Sequence, residues 1–419
     1  MIVLKAGAGR SEIFFPEDFF PVEGFSTLCS PLYARTAVLH DEKKIAILSL
    51  ELTSLPQEEV DELKKILSEE TMVKEANCFI CVTHTFSAPH IMPDKILKSS
   101  EARNKKGALQ RAIYTAARES ARKAMMNIAL VLPKLGQSEC HVNINRDFET
   151  PDGWWVSNCG TGPSDKTLTA ICMETEAGKP SLILIHYSVQ SSVLDDSRLP
   201  DGGKAVSSDL AGVACATLEE QYPGAIVMFL LGAAGDQAPV EKAKTLYLAD
   251  DGSLEEKDIG AEGLNICREL GLKMAESSRL AIEAAMPLKD TVIKYISHDF
   301  FVPSKQMKRN LHELIPTRTY EYKPDGQKQI SIEALSIGPV ALLCVKPELN
   351  CVTAMEIVEK APFEVTLVLT MVNGGAKYMA DASSYERITY EAMNSPFALG
   401  AAEILSEESL KLLSNLINS

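Results

Sequence analysis

Apolar residues recur along this chain with two different periods. In 57–70, Val60, Leu63, Ile66 and Leu67 fall on one face of a helix, and in 107–130 Leu109, Ile113, Ala116, Ala117 and Ile128 repeat that spacing. A last helix is predicted over 397–417. Between such helices lie short, continuously apolar runs: 44–50 (KIAILSL), 78–83 (CFICVT), 181–186 (SLILIH), 225–231 (AIVMFLL), 340–345 (VALLCV) and 366–372 (TLVLTMV). Each has the length and β-branched content of a strand. A strand apolar on both faces is buried on both, so the pattern predicts an α/β fold, a large mixed β-sheet flanked by helices on either side. No repeat or linker interrupts the pattern, and the polar stretch 241–260 reads as an insertion. The expectation is a single domain over 1–419.

Composition narrows the function. The chain has 419 residues, 46% of them hydrophobic, enough to bury a large core. Its longest apolar run, 226–234, is too short to span a bilayer, and the opening MIVLKAGAGRSE lacks a basic region followed by an apolar signal core. No stable membrane association is expected, and a cytoplasmic location is. With 42 Lys and Arg against 57 Asp and Glu, the net charge of −15 repels nucleic acid, so a small-molecule substrate is the expected partner. The ten cysteines are scattered through apolar segments and read as buried free thiols. Cys78 and Cys81 have Cys-x-x-Cys spacing, but a strand sends them to opposite faces, and no second pair completes a zinc ribbon.

Polar residues appear where the apolar runs stop: Glu51, His84, His186, Asp236, Glu348 and Asn373. In open α/β sheets ligands bind at the carboxyl ends of the strands, so two imidazoles and several carboxylates are expected in one crevice. That set suits Zn2+, which takes His nitrogen and carboxylate oxygen and leaves one position for a water that ionises near neutral pH. Each histidine taken alone is more often a hydrogen-bonded structural residue. His40, His141, His298 and His312 are read in that way, as structural or surface groups.

Other features carry paired readings. The GAAGD loop lacks the Lys-Ser/Thr of a phosphate-binding P-loop, so Asp236 is expected to orient a ligand or to cap the turn. Asp209 either caps a helix or supports His186. Trp154 and Trp155 either line a substrate mouth or anchor a loop, and 199–204 (LPDGGK) reads as a flexible loop or lid beside His186.

Ordered motifs then resemble a known family, the neutral (non-lysosomal) ceramidases, over their N-terminal catalytic domain. They are KAGAGRSEIFFP at 5–16, THTFSAPH at 83–90, NINR at 143–146, IHYSVQSS at 185–192 followed by VSSD at 206–209, GAAGDQAP at 232–239, KPE at 346–348, and KYMADASSYERITYE at 377–391. The resemblance implies that His84, His186, Glu348 and Tyr378 ligate zinc and that Arg146 and Tyr390 face a scissile amide. A zinc hydroxide would attack the carbonyl, with zinc and Tyr390 stabilising the oxyanion. The sequence also departs from the family: Phe86 stands where it has a second histidine, and Ala238 where it has a serine. No counterpart of the family's C-terminal β-sandwich domain or secretion signal is expected. His90 is the candidate to take over proton transfer, against an ordinary loop histidine.

The resulting expectation is a zinc-dependent hydrolase cleaving a C–N amide bond of an N-acyl or related small substrate other than ceramide. Arg146, Tyr390, His90 and Asp236 form its expected catalytic set. The alternatives are a metal-binding protein without turnover, or a zinc hydrolase acting on an ester or sugar-linked bond.

Overall fold

The computed structural model describes residues 4–158, 160–249, 253–307 and 314–419. The expected large mixed sheet is a nine-stranded one. Its path runs Ile226–Leu231, Pro180–Tyr187, Thr167–Thr175, Ala129–Glu139, Lys5–Glu12, Tyr33–His40, Lys44–Leu50, Cys78–Val82, with Met286–Pro287 added beside Ala129–Glu139. The outermost pair at each end is parallel and the pairs between are antiparallel.

The two faces of this sheet are covered differently. In Lys44–Leu50, Ala46, Leu48 and Leu50 pack toward Gln57–Thr71, Ser100–Met126, Asp209–Gln221 and Gly263–Glu283. Ile45 and Ile47 pack the other way, against Leu335, Ile337 and Leu342. Those residues belong to a second sheet, Ile293–Lys305, Pro324–Ile337, Val340–Val345, Val365–Leu369, whose far face carries Cys351–Lys360 and Ala401–Asn418. The layers thus run helices, sheet, sheet, helices. A strand buried on both faces has the same apolar sequence whether a helix or another sheet covers it. Cys78 and Cys81 do point to opposite faces, one into each core.

One close approach depends on glycine. A Cβ on Gly7 would stand 2.2 Å from the Ala124 carbonyl, and one on Gly9 2.4 Å from that of Ser120. These two residues of Lys5–Glu12 let the helix Ser100–Met126 lie directly on the strand. That helix is capped by Ser99, whose side chain accepts from Ala102 N–H. No helix among the described residues is long and apolar enough to cross a membrane.

The strand ends are stitched together by short backbone contacts. Thr83 N–H donates to Leu50, Thr85 bridges to Ser191, and Asn143–Asn145 pairs with Gln237–Pro239. Glu348–Leu349 pairs in parallel with Tyr378–Met379. These links draw segments from across the chain to one edge of the double sheet.

Candidate active site

His84 leaves its strand with a left-handed backbone, φ 59°. Its Nδ1 lies 2.6 Å from the Thr53 carbonyl and its Nε2 3.0 Å from Glu348 Oε2, both groups being buried. The Thr53 carbonyl can only accept, so the Nδ1 facing it carries hydrogen, and an ionised Glu348 calls for a second hydrogen on Nε2. Burial opposes charge on each, but the attraction between them outweighs it. The His84 pKa is raised and that of Glu348 lowered.

Gln190, just past the strand Pro180–Tyr187, joins this pair to Arg146. Its Nε2 donates to Glu348 Oε2 at 3.2 Å, and its Oε1 accepts from Arg146 Nη1 at 3.0 Å. Arg146 also donates from Nε and Nη2, at 2.8 and 2.6 Å, to one oxygen of Glu391. Its guanidinium lies over the rings of Tyr378 and Tyr390, 5.3 and 5.7 Å from their centroids. Burial disfavours its charge, yet Tyr378 and Glu391 hold its pKa well above the ordinary value. Burial, reinforced by the Glu348 charge, pushes the Tyr378 phenol up, and burial does the same for Tyr390. Both remain neutral donors at neutral pH.

Arg146, Tyr378 and Tyr390 form the buried end of a cavity of about 270 Å³. Phe86 and Ala238 make part of its wall, and Phe86 packs edge-on against His84 with ring centroids 4.7 Å apart. The opposite wall carries Lys242, Lys244, Leu246 and Glu256 from the hairpin Lys244–Leu248, Leu254–Asp258 and its lead-in. Lys242 pairs with Asp195, and Lys244 with Asp196 and Glu256.

The structure thus brings His84, Glu348, Tyr378, Arg146 and Tyr390 together, but the other expected site residues make different contacts. Alternation along Pro180–Tyr187 sends His186 to the same side as Leu182 and Leu184, between the two sheets. There its Nε2 donates to the Val368 carbonyl at 3.0 Å, and its buried Nδ1 has no partner among the described residues. Burial lowers its pKa, leaving the ring neutral.

His90 pairs with Glu23 at 2.9 Å and lines a different cavity, with Phe19, Met92 and Lys105, so it cannot exchange a proton beside Arg146. Asp236 caps the helix Cys351–Lys360 by accepting from Cys351 N–H at 2.8 Å, and it also binds Asn145 and Gln237. These bonds tie three segments of the chain together.

Asp209 accepts from the Val193 and Leu194 amides and from Leu210, with no contact to His186. Trp155 stacks edge-on against Tyr390 at 5.5 Å, and Arg387 covers Trp154, so the pair anchors the loop and buttresses the tyrosine. The 199–204 segment turns back on itself and leads into Lys204–Val206, which pairs with Phe25–Leu28. Glu51 is ion-paired with buried Arg35, and Asn373 binds Ile80 N–H and Glu333. His141 and His298 pair at the surface with Glu139 and Glu408, His40 ends a strand, and His312 lies outside the described residues.

Sequence reasoning missed Gln190, Glu391 and the hairpin wall. Glu391 and Gln190 both lie in motifs already noted, 377–391 and 185–192, but His186 drew the attention in the second, and a polar hairpin carries no such signal.

A tetrahedral zinc needs donors with free lone pairs at about 2.0–2.3 Å. His84, Glu348 and Tyr378 could offer three, but His186 is turned away, and beside Glu348 stands the N–H of Gln190, which has no lone pair to give. No group of three or more His, Cys, Asp or Glu among the described residues is arranged for a metal. The four-donor site implied by the resemblance does not fit these side chains.

No protein-family model matches the chain, and no curated protein matches it in sequence. Among solved structures it is similar to neutral ceramidase from Pseudomonas aeruginosa, with a TM-score of 0.72 at 14% identity, covering 99% of this chain and 75% of that one. It is also similar to a ceramidase complexed with C2, with a TM-score of 0.74 at 13% identity, covering 99% and 76%. The chain has a ceramidase-like fold.

Proposed function

We propose that this protein is a hydrolase that cleaves the C–N amide bond of a small N-acyl substrate other than ceramide. The observation that carries this reading is the convergence of Arg146, Tyr378 and Tyr390 on the buried end of one cavity, with the Glu348 and His84 pair behind them. Neutral phenols and a fixed guanidinium are the donors an amide oxygen needs as it becomes an oxyanion. A space of about 270 Å³ suits a short acyl group, since pockets for drug-sized ligands start near 300 Å³. Phe86 and Ala238 favour an apolar moiety against the wall they share.

In this reading the chemistry is carried by the chain's own groups. A water oxygen bonds to the carbonyl carbon while its proton passes through one relaying water to Glu348, which stands behind the cavity lining and whose Oε1 bears neither of the bonds made by Oε2. Arg146, Tyr378 and Tyr390 hold the oxygen that gains negative charge. The C–N bond then breaks, and the proton passes from Glu348 to the leaving nitrogen, giving an acid and an amine. His84 keeps Glu348 ionised and oriented.

A second reading, a binding protein without turnover, draws on Phe86 and Gln190: each puts a group unable to exchange a proton beside His84 or Glu348. A panel of N-acyl amino acids and short N-acyl amines, assayed for released amine, separates the two. Hydrolysis lost in Arg146→Ala supports the enzyme. No Arg146-dependent hydrolysis, combined with saturable binding of a panel member, supports the second reading.

A further inference from the structure

We infer that Gln190 makes this site metal-independent, by presenting an N–H donor to Glu348 where a second imidazole would have to stand to complete a metal site. The inference rests on the reading of this cavity as the catalytic one. Its first support is the direction of the carboxamide. Arg146 Nη1 can only donate, so the Gln190 atom facing it is Oε1, and the atom facing Glu348 Oε2 at 3.2 Å is the amide nitrogen. The His84 Nε2 lies 3.0 Å from the same oxygen, so two nitrogens already crowd it.

Gln190 cannot simply turn round to offer its oxygen to a cation. A half-turn would set its NH2 against the Arg146 guanidinium, donor against donor, and would give up its bonds to Arg146 and Glu348. Arg146 is itself held by Glu391 on its other edge, so it does not yield.

The backbone is fixed as well. Gln190 N–H donates to the Gln237 carbonyl, Ser191 accepts from Phe86 N–H, and the Asp209 carboxylate holds the amides of Val193 and Leu194. Gln190 is 2% exposed. Gln190 is in this sense a positioning residue: it carries Arg146 and Glu348 in one hydrogen-bonded row and satisfies the carboxylate without a metal.

The test uses the full chain, purified without chelator, dialysed against zinc chloride and then against zinc-free buffer. Zinc content is read by atomic emission, and the zinc-dependent shift in unfolding temperature is the second readout. Wild type is expected to retain less than about a tenth of an equivalent. Gln190→His is expected to bind zinc at least about tenfold more tightly, on the scale by which one residue at a metal site changes affinity.

Gln190→Glu keeps the shape but replaces the N–H by an acceptor oxygen. It should also gain zinc, and it preserves the test if the histidine variant does not fold. Wild type holding near one equivalent of zinc that His84→Ala abolishes would overturn the inference, as would zinc affinity unchanged in both variants. Because zinc retention is read without turnover, a zinc-free protein that hydrolyses nothing counts against the enzyme reading alone. A zinc-loaded, active protein counts against this inference alone.

Discussion

The Nε2 of His84 stands 3.0 Å from Oε2 of Glu348, and both side chains are buried although 264 positions separate them in the chain. Removing one member of a buried ion pair strands the other, at a cost of about 3–5 kcal/mol. His84→Ala should lower the unfolding free energy by that amount in urea titrations. The double variant with Glu348→Ala should lose less than the sum of the two single losses. A His84→Ala cost below about 1 kcal/mol would mean that the pair is solvated and unlike the one described here.

Arg146 is bound through a fork. Nε and Nη2 share one Glu391 oxygen while Nη1 takes Gln190, a geometry that lysine cannot copy. Arg146→Lys is expected to reduce kcat/KM on a hydrolysed N-acyl compound by about 100-fold or more. It should also cost about 1–3 kcal/mol of stability through the unsatisfied Glu391. Loss of stability with unchanged kcat/KM would reassign Arg146 to the scaffold.

Lys305 sits among three tyrosines, its Nζ 4.8, 4.9 and 4.8 Å from the ring centroids of Tyr320, Tyr322 and Tyr385. Burial lowers its pKa from 10.5 to about 7. Between those values the unfolded chain binds a proton that the folded chain has released, so this group makes stability rise with pH across the window and adds no slope below it. Wild type should therefore gain stability relative to Lys305→Met between pH 7 and 9, measured by urea unfolding at each pH. A constant difference between the two proteins would show that the lysine stays charged in the fold.

Gly7→Ala tests the packing of the first strand. Its Cβ would meet backbone oxygen at 2.2 Å, which no side-chain rotation relieves. An overpacking cost of about 1–3 kcal/mol is expected. Gly178, with open space around it, is the control for substitution of a glycine without a clash, subject only to its positive φ.

The parts legible in the sequence are those where a residue's pattern and its environment agree. The helices predicted over 57–70 and 107–130 are seen as Gln57–Thr71 and Ser100–Met126. The second stops early because 129–130 already begin the strand Ala129–Glu139. The apolar runs became strands, but Lys5–Glu12, rich in glycine, and Pro324–Ile337, polar over its first half, carry no such run. The runs at 340–345 and 366–372 were read as strands of one sheet with the rest, because nothing in an apolar run says which sheet it joins.

In the site, Tyr378, Arg146 and Tyr390 were marked by motif order, and His84 and Glu348 by their places at strand ends as well. His186 looked identical to His84 by the same rule, and only strand parity separates them: its ring points between the sheets. Gln190, four residues later, has no charge, no metal preference and no periodicity to single it out.

Among the described residues the strands Lys244–Leu248 and Leu254–Asp258 form a two-stranded sheet of their own, yet they supply one side of the cavity, while Arg146, Tyr378 and Glu348 stand on the edge of the double sheet. In the proposed hydrolase, selectivity and chemistry would therefore be carried by separable pieces of chain. A lineage could exchange the residues of this ribbon, and with them the molecules admitted, without renegotiating the core that keeps Arg146 and Glu348 in place.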